Sequence, residues 1–206
     1  MSRKPRAFDP EWIYHAVAKG NNGEPIVRDG LDRRMFVTRF DRVAADYEWE
    51  LFAWCLMENH AHWLLRAPQG AISLGMQELL SGHARGINAR YDRVGHLFRN
   101  RFYAAPAKDD AHVVASVAYI DRNPLKHRAT RDLARWRESS YRAHMGLEPS
   151  RPWLRVDETL AFFARQPAAA RERLASLVHS GHVPVSDTIT EVQRFEERQP
   201  GLWRAA

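Results

Sequence analysis

Residues 57–66, Met-Glu-Asn-His-Ala-His-Trp-Leu-Leu-Arg, constrain the fold more than any other part of the chain. The segment is apolar enough to form a buried strand. Because successive side chains of a strand point to opposite faces, His60 and His62 project from one face while Ala61 and Trp63 project from the other. Two neutral imidazoles side by side form half of a metal site, although the histidines of a His-x-His pair, judged on this motif alone, are more often solvated or hydrogen-bonded than metal-bound.

Composition narrows the class of protein. A chain of 206 residues suits one domain with an appendage, and its net charge of +6 favours a polyanionic partner. Cys55 is the single cysteine, so no internal disulfide and no cysteine-based zinc cluster can form, which is typical of a reducing compartment. The sequence contains no signal-peptide pattern and no apolar run of about 18 residues. We therefore predict a soluble cytoplasmic protein without a membrane partner.

The order of predicted elements indicates the fold class. Apolar periodicity, turn residues and caps predict strands at 11–18, 49–57, 59–66 and 95–104, and helices after Asp32, after Ser73 and from Asp109 to Asn123, where Pro124 closes the helix. Two amphipathic helices follow Trp153, and the last twenty residues show little pattern. A central hairpin with helices on one face predicts an α+β fold with an antiparallel sheet of four to five strands, of ferredoxin-like or RRM-like type.

The helix that begins at Asp109 carries a second group of polar residues near its end. Tyr119 and Asn123 are four residues apart, so they share a helical face. A helix of this length spans roughly 22 Å, which is enough to cross the sheet toward the histidine pair. Judged without further context, Tyr119 is a core or surface tyrosine more often than a reactive one.

Three motifs in this order resemble the single-tyrosine HUH transposases of insertion sequences and the related REP-associated tyrosine transposases. The motifs are His-Ala-His at 60–62, Gly-His-Leu-Phe-Arg-Asn-Arg-Phe at 95–102, and Tyr-Ile-Asp-Arg-Asn-Pro-Leu at 119–125. The resemblance covers about residues 11–145. Glu58 stands where the family usually has proline, and Asp121-Arg122 replaces a more common His-Leu, but neither change removes a proposed ligand or nucleophile.

The resemblance implies a chemistry and a set of site residues. It implies that Tyr119 attacks a phosphodiester of single-stranded DNA, giving a 5′-phosphotyrosyl intermediate and a free 3′-OH. It also implies that His60, His62 and Asn123 hold a divalent metal ion, Mg²⁺ or Mn²⁺. A tyrosine phenol has a pKa near 10 and is a weak nucleophile at neutral pH, so a metal that polarises the phosphate supplies what the phenol lacks.

The predicted function is metal-dependent nicking and strand transfer on single-stranded or hairpin DNA at transposon or repeat ends. Six basic residues are predicted to contact this DNA: Arg85, Arg90, Arg99, Arg101, Lys126 and Arg128. Two alternatives stay open, a hairpin-binding protein whose catalysis has lapsed and a replication initiator of the wider HUH class. The sequence also leaves open whether one chain or a homodimer completes the active site.

The same considerations predict three regions. Residues 1–10 form a flexible basic lead, residues 11–148 form the HUH single-tyrosine transposase domain, and residues 149–206 form a helical C-terminal extension.

Overall fold

The computed structural model describes residues 8–184 and 186–197, and its centre is a four-stranded antiparallel sheet. The strands are β1 (Tyr14–Lys19), β2 (Glu50–Leu56), β3 (His60–Arg66) and β4 (Tyr103–Pro106). The helices are α1 (Gly30–Asp46), α2 (Ile72–Arg90), α3 (Asp110–Lys126), α4 (Tyr141–His144), α5 (Val156–Ala161), α6 (Pro167–Ser180) and α7 (Asp187–Glu197). The strands lie side by side in the order β2-β3-β1-β4, which confirms the predicted ferredoxin-like arrangement.

Parts of two predicted regions lie outside the described residues. These are most of the basic lead at 1–10 and residues 198–206 of the C-terminal extension. Among the described residues, no helix has both the length and the apolar character needed to cross a membrane.

Both faces of the sheet are covered. One face, which includes Ala61, Trp63 and Leu65, packs with α1 and α2. The opposite face, which includes Val17 and Leu64, packs against α3 and the helices that follow it. The prediction that the helices fall on one face is therefore wrong for α3 and the C-terminal helices. The central strands are apolar on both sides, so the second side also requires a covering layer.

Trp63 is central to the first of these layers, with no exposed surface and aromatic contacts to Phe36 and Phe40. We expect Trp63→Ala to lower the free energy of unfolding by about 3–5 kcal/mol, because it removes buried apolar area and leaves a cavity. Urea denaturation followed by circular dichroism measures the change. Trp12→Ala, at a side chain that is 46% exposed, is the control and should change stability by less than about 0.5 kcal/mol. Equal effects of the two substitutions would contradict the assigned core.

Helices α1 and α2 do not begin at the residues that the sequence predicted. Asp29, not Asp32, is the N-cap of α1, because its Oδ1 accepts hydrogen bonds from the backbone N–H groups of Leu31 and Asp32. The Asp32 carboxylate is instead buried and accepts hydrogen bonds from Tyr91 Oη and from the backbone N–H of Arg28. Helix α2 begins at Ile72 without a side-chain cap, so Ser73 lies inside the helix.

Two further boundaries differ for reasons of backbone hydrogen bonding. The predicted strand 95–104 is interrupted. Residues near Phe98 pair with the end of β1, residues 100–102 leave the sheet, and pairing with β1 resumes only in β4. Helix α3 continues past Pro124 to Lys126. A proline in the last turn removes only one N–H donor, and the His127 N–H still bonds to the Asn123 carbonyl at 3.0 Å.

The outer edge of β2 is paired with loop backbone rather than with another strand. At one end, the Leu51 N–H donates to the Trp153 carbonyl and the Leu51 carbonyl accepts from the Arg155 N–H, both at 2.8 Å. At the other end, the Leu56 N–H donates to the Glu138 carbonyl at 2.9 Å. Two loop segments that are distant in sequence therefore close this edge of the sheet.

Candidate metal and tyrosine site

His60 and His62 lie on β3 and face helix α3. Both side chains are buried, and their ring centroids are 5.1 Å apart. Their neighbours Ala61 and Trp63 point into the opposite core, as the strand alternation predicted. The histidines therefore occupy one wall of a buried polar site beneath α3.

Asn123 forms the opposite wall of this site. Its side-chain oxygen lies 2.8 Å from His60 Nε2, and its side-chain nitrogen lies 3.3 Å from His62 Nε2. Helix α3 starts at its N-cap Asp109, whose carboxylate accepts a hydrogen bond from the His112 N–H, and Asn123 follows near its other end. Strand β3 and helix α3 thus bring Asn123 to two histidines that are 63 and 61 residues away in sequence.

Tyr119 lies one helical turn before Asn123, with its ring centroid 5.7 Å from that of His62. Its hydroxyl donates a hydrogen bond of 2.6 Å to Glu196 Oε2 and accepts one of 2.5 Å from Lys126 Nζ. Burial raises the pKa of the Tyr119 phenol well above its ordinary value, and the negative charge of Glu196 raises it further. In this arrangement Tyr119 is a protonated phenol at neutral pH.

Glu196 is a site residue that the sequence did not predict. It belongs to α7, within the last twenty residues, where the prediction of little pattern was wrong. Its Oε1 lies 2.7 Å from His62 Nε2. Burial alone would raise the pKa of this carboxyl, but His62, His60 and Lys126 hold it well below the ordinary range. The apolar spacing of the buried Ile189 and Val192 is the sequence signal that identifies the helix, although it does not identify the partner.

His15 on β1 is the second residue that the sequence did not predict. Its side chain is completely buried, and its Nε2 lies 3.1 Å from His62 Nδ1. Burial lowers the pKa of His15 well below its ordinary value, and the neighbouring His62 lowers it further. A neutral His15 can accept the Nδ1–H of His62, so Nε2 is the ring atom of His62 that faces Asn123 and Glu196.

The chemistry of these donors fits a divalent cation. Burial lowers the pKa of His60 to about 3, with a further contribution from His62, so the ring is neutral and has one N–H. If that N–H donates to Asn59 Oδ1, 2.7 Å from Nδ1, the Nε2 lone pair faces the side-chain oxygen of Asn123. Two lone pairs at 2.8 Å repel each other, and a shared cation would remove that repulsion. The buried group His60, His62 and Glu196, with ligand atoms all within 4.8 Å, also has the composition of a metal site.

The lowered pKa of His60 predicts acid destabilisation of the metal-free protein. In the unfolded chain His60 takes up a proton below about pH 6.5, whereas in the folded protein it does so only near pH 3. The free energy of unfolding is therefore highest above pH 6.5 and decreases as the pH falls from 6.5 toward 3. We expect His60 to account for a loss of about 2 kcal/mol between pH 7.5 and pH 5. Urea denaturation in EDTA at the two pH values measures this loss.

Two variants isolate the contribution of His60. His60→Gln removes the titrating group and should reduce the pH-dependent loss, whereas His96→Gln, at an exposed histidine, should retain all of it. An unchanged pH dependence in His60→Gln would refute the buried neutral state.

The far side of α3 is anchored by a buried polar network. Asp121 accepts hydrogen bonds from Ser140 Oγ at 2.6 Å and from His144 Nδ1 at 2.7 Å, and all three side chains are fully buried. Asp121 therefore points away from the site and is not a ligand, as its helical position predicted. Because it lies between Tyr119 and Asn123, the network fixes the rotation of α3 that directs both of them toward β3.

The predicted DNA-binding residues fall into three groups. Arg85, Arg99 and Arg101 line one groove of about 890 Å³ between α2 and residues 95–102. Lys126 lies at Tyr119. The remaining two lie outside both places: Arg90 forms ion pairs with Asp29 and Asp32, and Arg128 is exposed in the turn after α3.

The fold and the His-x-His site beneath a tyrosine-bearing helix define a transposase of the single-tyrosine HUH class. The chain belongs to the IS200-like transposases, because the model of that family, described as "Transposase IS200 like", matches residues 10–123. This confirms the resemblance seen in the sequence. No curated protein sequence matches the chain.

The fold is also similar to a solved structure, a REP-associated tyrosine transposase bound to a REP hairpin. The two chains are 19% identical and superpose with a TM-score of 0.58, over 72% of this chain and 89% of the other. At this level of identity the likeness establishes the shared fold.

Proposed function

We propose that this protein cleaves and rejoins single-stranded or hairpin DNA by metal-dependent transesterification at Tyr119. The observation that carries the proposal is the convergence of Tyr119 and Asn123 of α3 with His60 and His62 of β3 in one buried site. Phosphoryl transfer to a side-chain hydroxyl requires a positioned nucleophile and a metal ion that polarises the phosphate. Here the nucleophile and the atoms able to bind the metal lie on two rigid elements.

The nucleophilic step transfers a phosphoryl group to the phenol. Tyr119 Oη bonds to the phosphorus and the bond to the 3′-oxygen breaks. The phenol proton is released to solvent, and solvent protonates the departing 3′-oxygen, so no proton is gained or lost overall. The Lys126 ammonium, which donates to Tyr119 Oη at 2.5 Å, stabilises the negative charge that develops on the phenol oxygen. Attack by a free 3′-OH on the phosphotyrosine reverses these changes and rejoins the strand, so the bond energy is conserved.

His60, His62 and Asn123 are the residues that would hold the divalent ion, and the Glu196 carboxylate lies beside them, 2.7 Å from His62 Nε2. When bound, Mg²⁺ or Mn²⁺ would polarise the scissile phosphate and offset its charge. The roles of the surrounding residues follow from their contacts. His15 fixes the tautomer of His62, and the buried surroundings exclude water that would compete with the tyrosine.

The groove lined by Arg85, Arg99 and Arg101 is the proposed path of the DNA strand. Its lining combines these cations with apolar side chains, including Phe98 and the 56% exposed Leu74. Cations that contact phosphates and apolar surfaces that contact bases are typical of single-stranded nucleic-acid sites. The complex of the related transposase with a REP hairpin supports hairpin DNA as the partner class.

A covalent-adduct assay tests the proposed function. Hairpin oligonucleotides with randomised single-stranded flanks and a 3′-fluorescein label are incubated with the protein and Mn²⁺ or Mg²⁺, then separated on a denaturing gel. Because the tyrosine retains the 5′-phosphate of the downstream fragment, the label should migrate with the protein, and EDTA should abolish this band. Absence of the band with both metals, under conditions where the DNA is bound, would refute the enzymatic proposal.

One observation favours a second candidate, a hairpin-binding protein without cleavage activity. Glu196 accepts the hydrogen bond of the Tyr119 hydroxyl at 2.6 Å, so a carboxylate of the chain itself occupies the place next to the phenol oxygen. The adduct assay on Glu196→Ala separates the two candidates, because an enzyme held inactive by this contact would form more adduct, whereas a lapsed enzyme would form none.

A further inference from the structure

Three cations from three different elements meet at the C-terminal end of α7. Lys19 Nζ, at the end of β1, donates to the backbone carbonyl of Glu196 at 2.5 Å. Arg99 Nη2 donates to the carbonyl of Phe195 at 2.5 Å. Lys126 Nζ, from the last turn of α3, lies 3.5 Å from Glu196 Oε2. Each contact is made to an oxygen with negative charge or partial charge.

These cations repel one another unless an anion lies among them. Burial lowers the pKa of Lys19, and the neighbouring charges of Arg99 and Lys126 lower it further, whereas Glu196 opposes that change. The end of α7 supplies the compensating charge in two ways, through the carboxylate of Glu196 and through the partial negative charge of the helix C-terminus. The cluster is thus built to hold negatively charged oxygen atoms.

The position of this cluster identifies its natural ligand. Lys126 also donates to Tyr119 Oη, and the Glu196 carboxylate reaches both Tyr119 Oη and His62 Nε2, so this carboxylate lies between the nucleophile and the proposed metal ligands. The two carbonyls bound by Lys19 and Arg99 belong to the same turn of α7. A phosphodiester that Tyr119 attacks must place its nonbridging oxygens in the same space. Arg99 also lines the groove described above, so the cluster and the groove are continuous.

We infer that Lys19, Arg99 and Lys126 bind the phosphodiester backbone at the point of cleavage, and that the C-terminal end of α7 occupies this phosphate site in the structure. The inference rests on the proposed function and adds the residues that hold the substrate. A carboxylate and two carbonyl oxygens take the places of phosphate oxygens. DNA and the end of α7 therefore compete for the same three cations.

The attachment of α7 is compatible with such an exchange. Its apolar contacts come from the buried Ile189 and Val192 and from Phe195, whose ring stacks on Tyr103 with the centroids 5.3 Å apart. Side-chain hydrogen bonds run from Thr188 Oγ1 to the Pro106 carbonyl and from Tyr103 Oη to Glu191. No residue of α7 itself belongs to a strand of the sheet, so its end can leave the site without breaking a strand pairing. A phosphodiester that enters this site displaces the Glu196 carboxylate from Tyr119 Oη, to which it is hydrogen-bonded at 2.6 Å, and so leaves the hydroxyl facing the phosphate.

Fluorescence anisotropy tests the inference with a labelled single-stranded oligonucleotide, in EDTA, over a range of NaCl concentrations. We expect Lys19→Gln and Arg99→Gln each to weaken binding by roughly 5-fold and to reduce the slope of log K against log [NaCl] by about 0.7, the value for one phosphate contact in a single strand. Glu196→Gln should tighten binding by a similar factor, because it removes the competing charge. Arg165→Gln, at an exposed arginine on the loop before α6, is the matched control and should leave both quantities unchanged.

The outcomes separate the inference from the proposed function. Unchanged affinity and salt slope in Lys19→Gln and Arg99→Gln would overturn the inference even if the parent protein forms the covalent adduct. A Glu196→Gln protein that binds DNA with parental affinity but no longer forms the adduct would also overturn the inference. Glu196 would then act as a base in the reaction and would not compete with DNA for the cations. Absence of the adduct in the parent, with the expected binding changes in all variants, would instead refute the cleavage activity and retain the phosphate site.

Discussion

Tyr119→Phe should reduce the yield of covalent protein–DNA adduct by on the order of 10³-fold or more, because it removes the only atom through which the side chain can bond to phosphorus. The substitution keeps the aromatic ring and its contacts with His15 and His62. Glu196 and Lys126, which bond to the hydroxyl in the parent, lie 3.5 Å apart and remain paired with each other, so the folded structure should persist. Denaturing gels of the 3′-labelled hairpin pool, quantified against time, measure the loss.

Tyr141→Phe is the matched control for this substitution. Tyr141 is also buried, and its hydroxyl lies 3.1 Å from His179 Nε2, away from the histidine pair. This variant should form adduct at the rate of the parent. DNA binding by Tyr119→Phe, measured by anisotropy, should be at least as tight as that of the parent, because the loss concerns bond formation. Adduct formation by Tyr119→Phe at the parental rate would assign the nucleophile to another residue.

The second large effect concerns the histidine pair. His62→Ala should weaken Mn²⁺ binding by more than about 100-fold and abolish the adduct, because it removes a ligand. His15→Phe retains volume and removes the hydrogen-bond acceptor of His62, so we expect a loss of roughly 10–100-fold, the usual effect of an outer partner. Isothermal titration calorimetry with Mn²⁺ measures both affinities.

Exposed His96 provides the control for this series, and His96→Ala should bind Mn²⁺ as the parent does. Asn123→Ala tests the third ligand and should weaken Mn²⁺ binding more than Glu196→Ala does, since Glu196 stands where a phosphate is proposed to bind. Equal Mn²⁺ affinity in His62→Ala and in the parent would contradict the metal site altogether.

The parts of the fold that the sequence predicted are those set by local pattern. The strand alternation around His60 and the helical spacing of Tyr119 and Asn123 each depend on a few neighbouring residues, and the structure contains both. The boundary errors at Asp32 and Ser73 also have a local origin, because several residues able to cap a helix lie within a few positions of its start. Choosing among them requires the tertiary partners, such as Tyr91 and Arg90 for Asp32.

Glu196 and His15 could not be predicted in the same way. Glu196 is 77 residues from Tyr119 in sequence, and its helix contacts the site only because the chain returns across the sheet after α6. His15 faces His62 because β1 and β3 are paired, with Val17 opposite His62 in the register. A single sequence records residue types and local periods, whereas these two contacts depend on tertiary packing and on which strands become neighbours.

The closed outer edge of β2 has a consequence for self-association. An exposed strand edge invites a second chain to continue the sheet, which is a common route to dimers and to aggregates. Here the backbone groups of Leu51 and Leu56 are already bonded to loops around Trp153 and Glu138. A second copy that joined by sheet extension at β2 would first have to break those bonds. Dimerisation or aggregation by sheet extension is therefore unfavourable at the β2 edge, which is the edge of the sheet opposite β4.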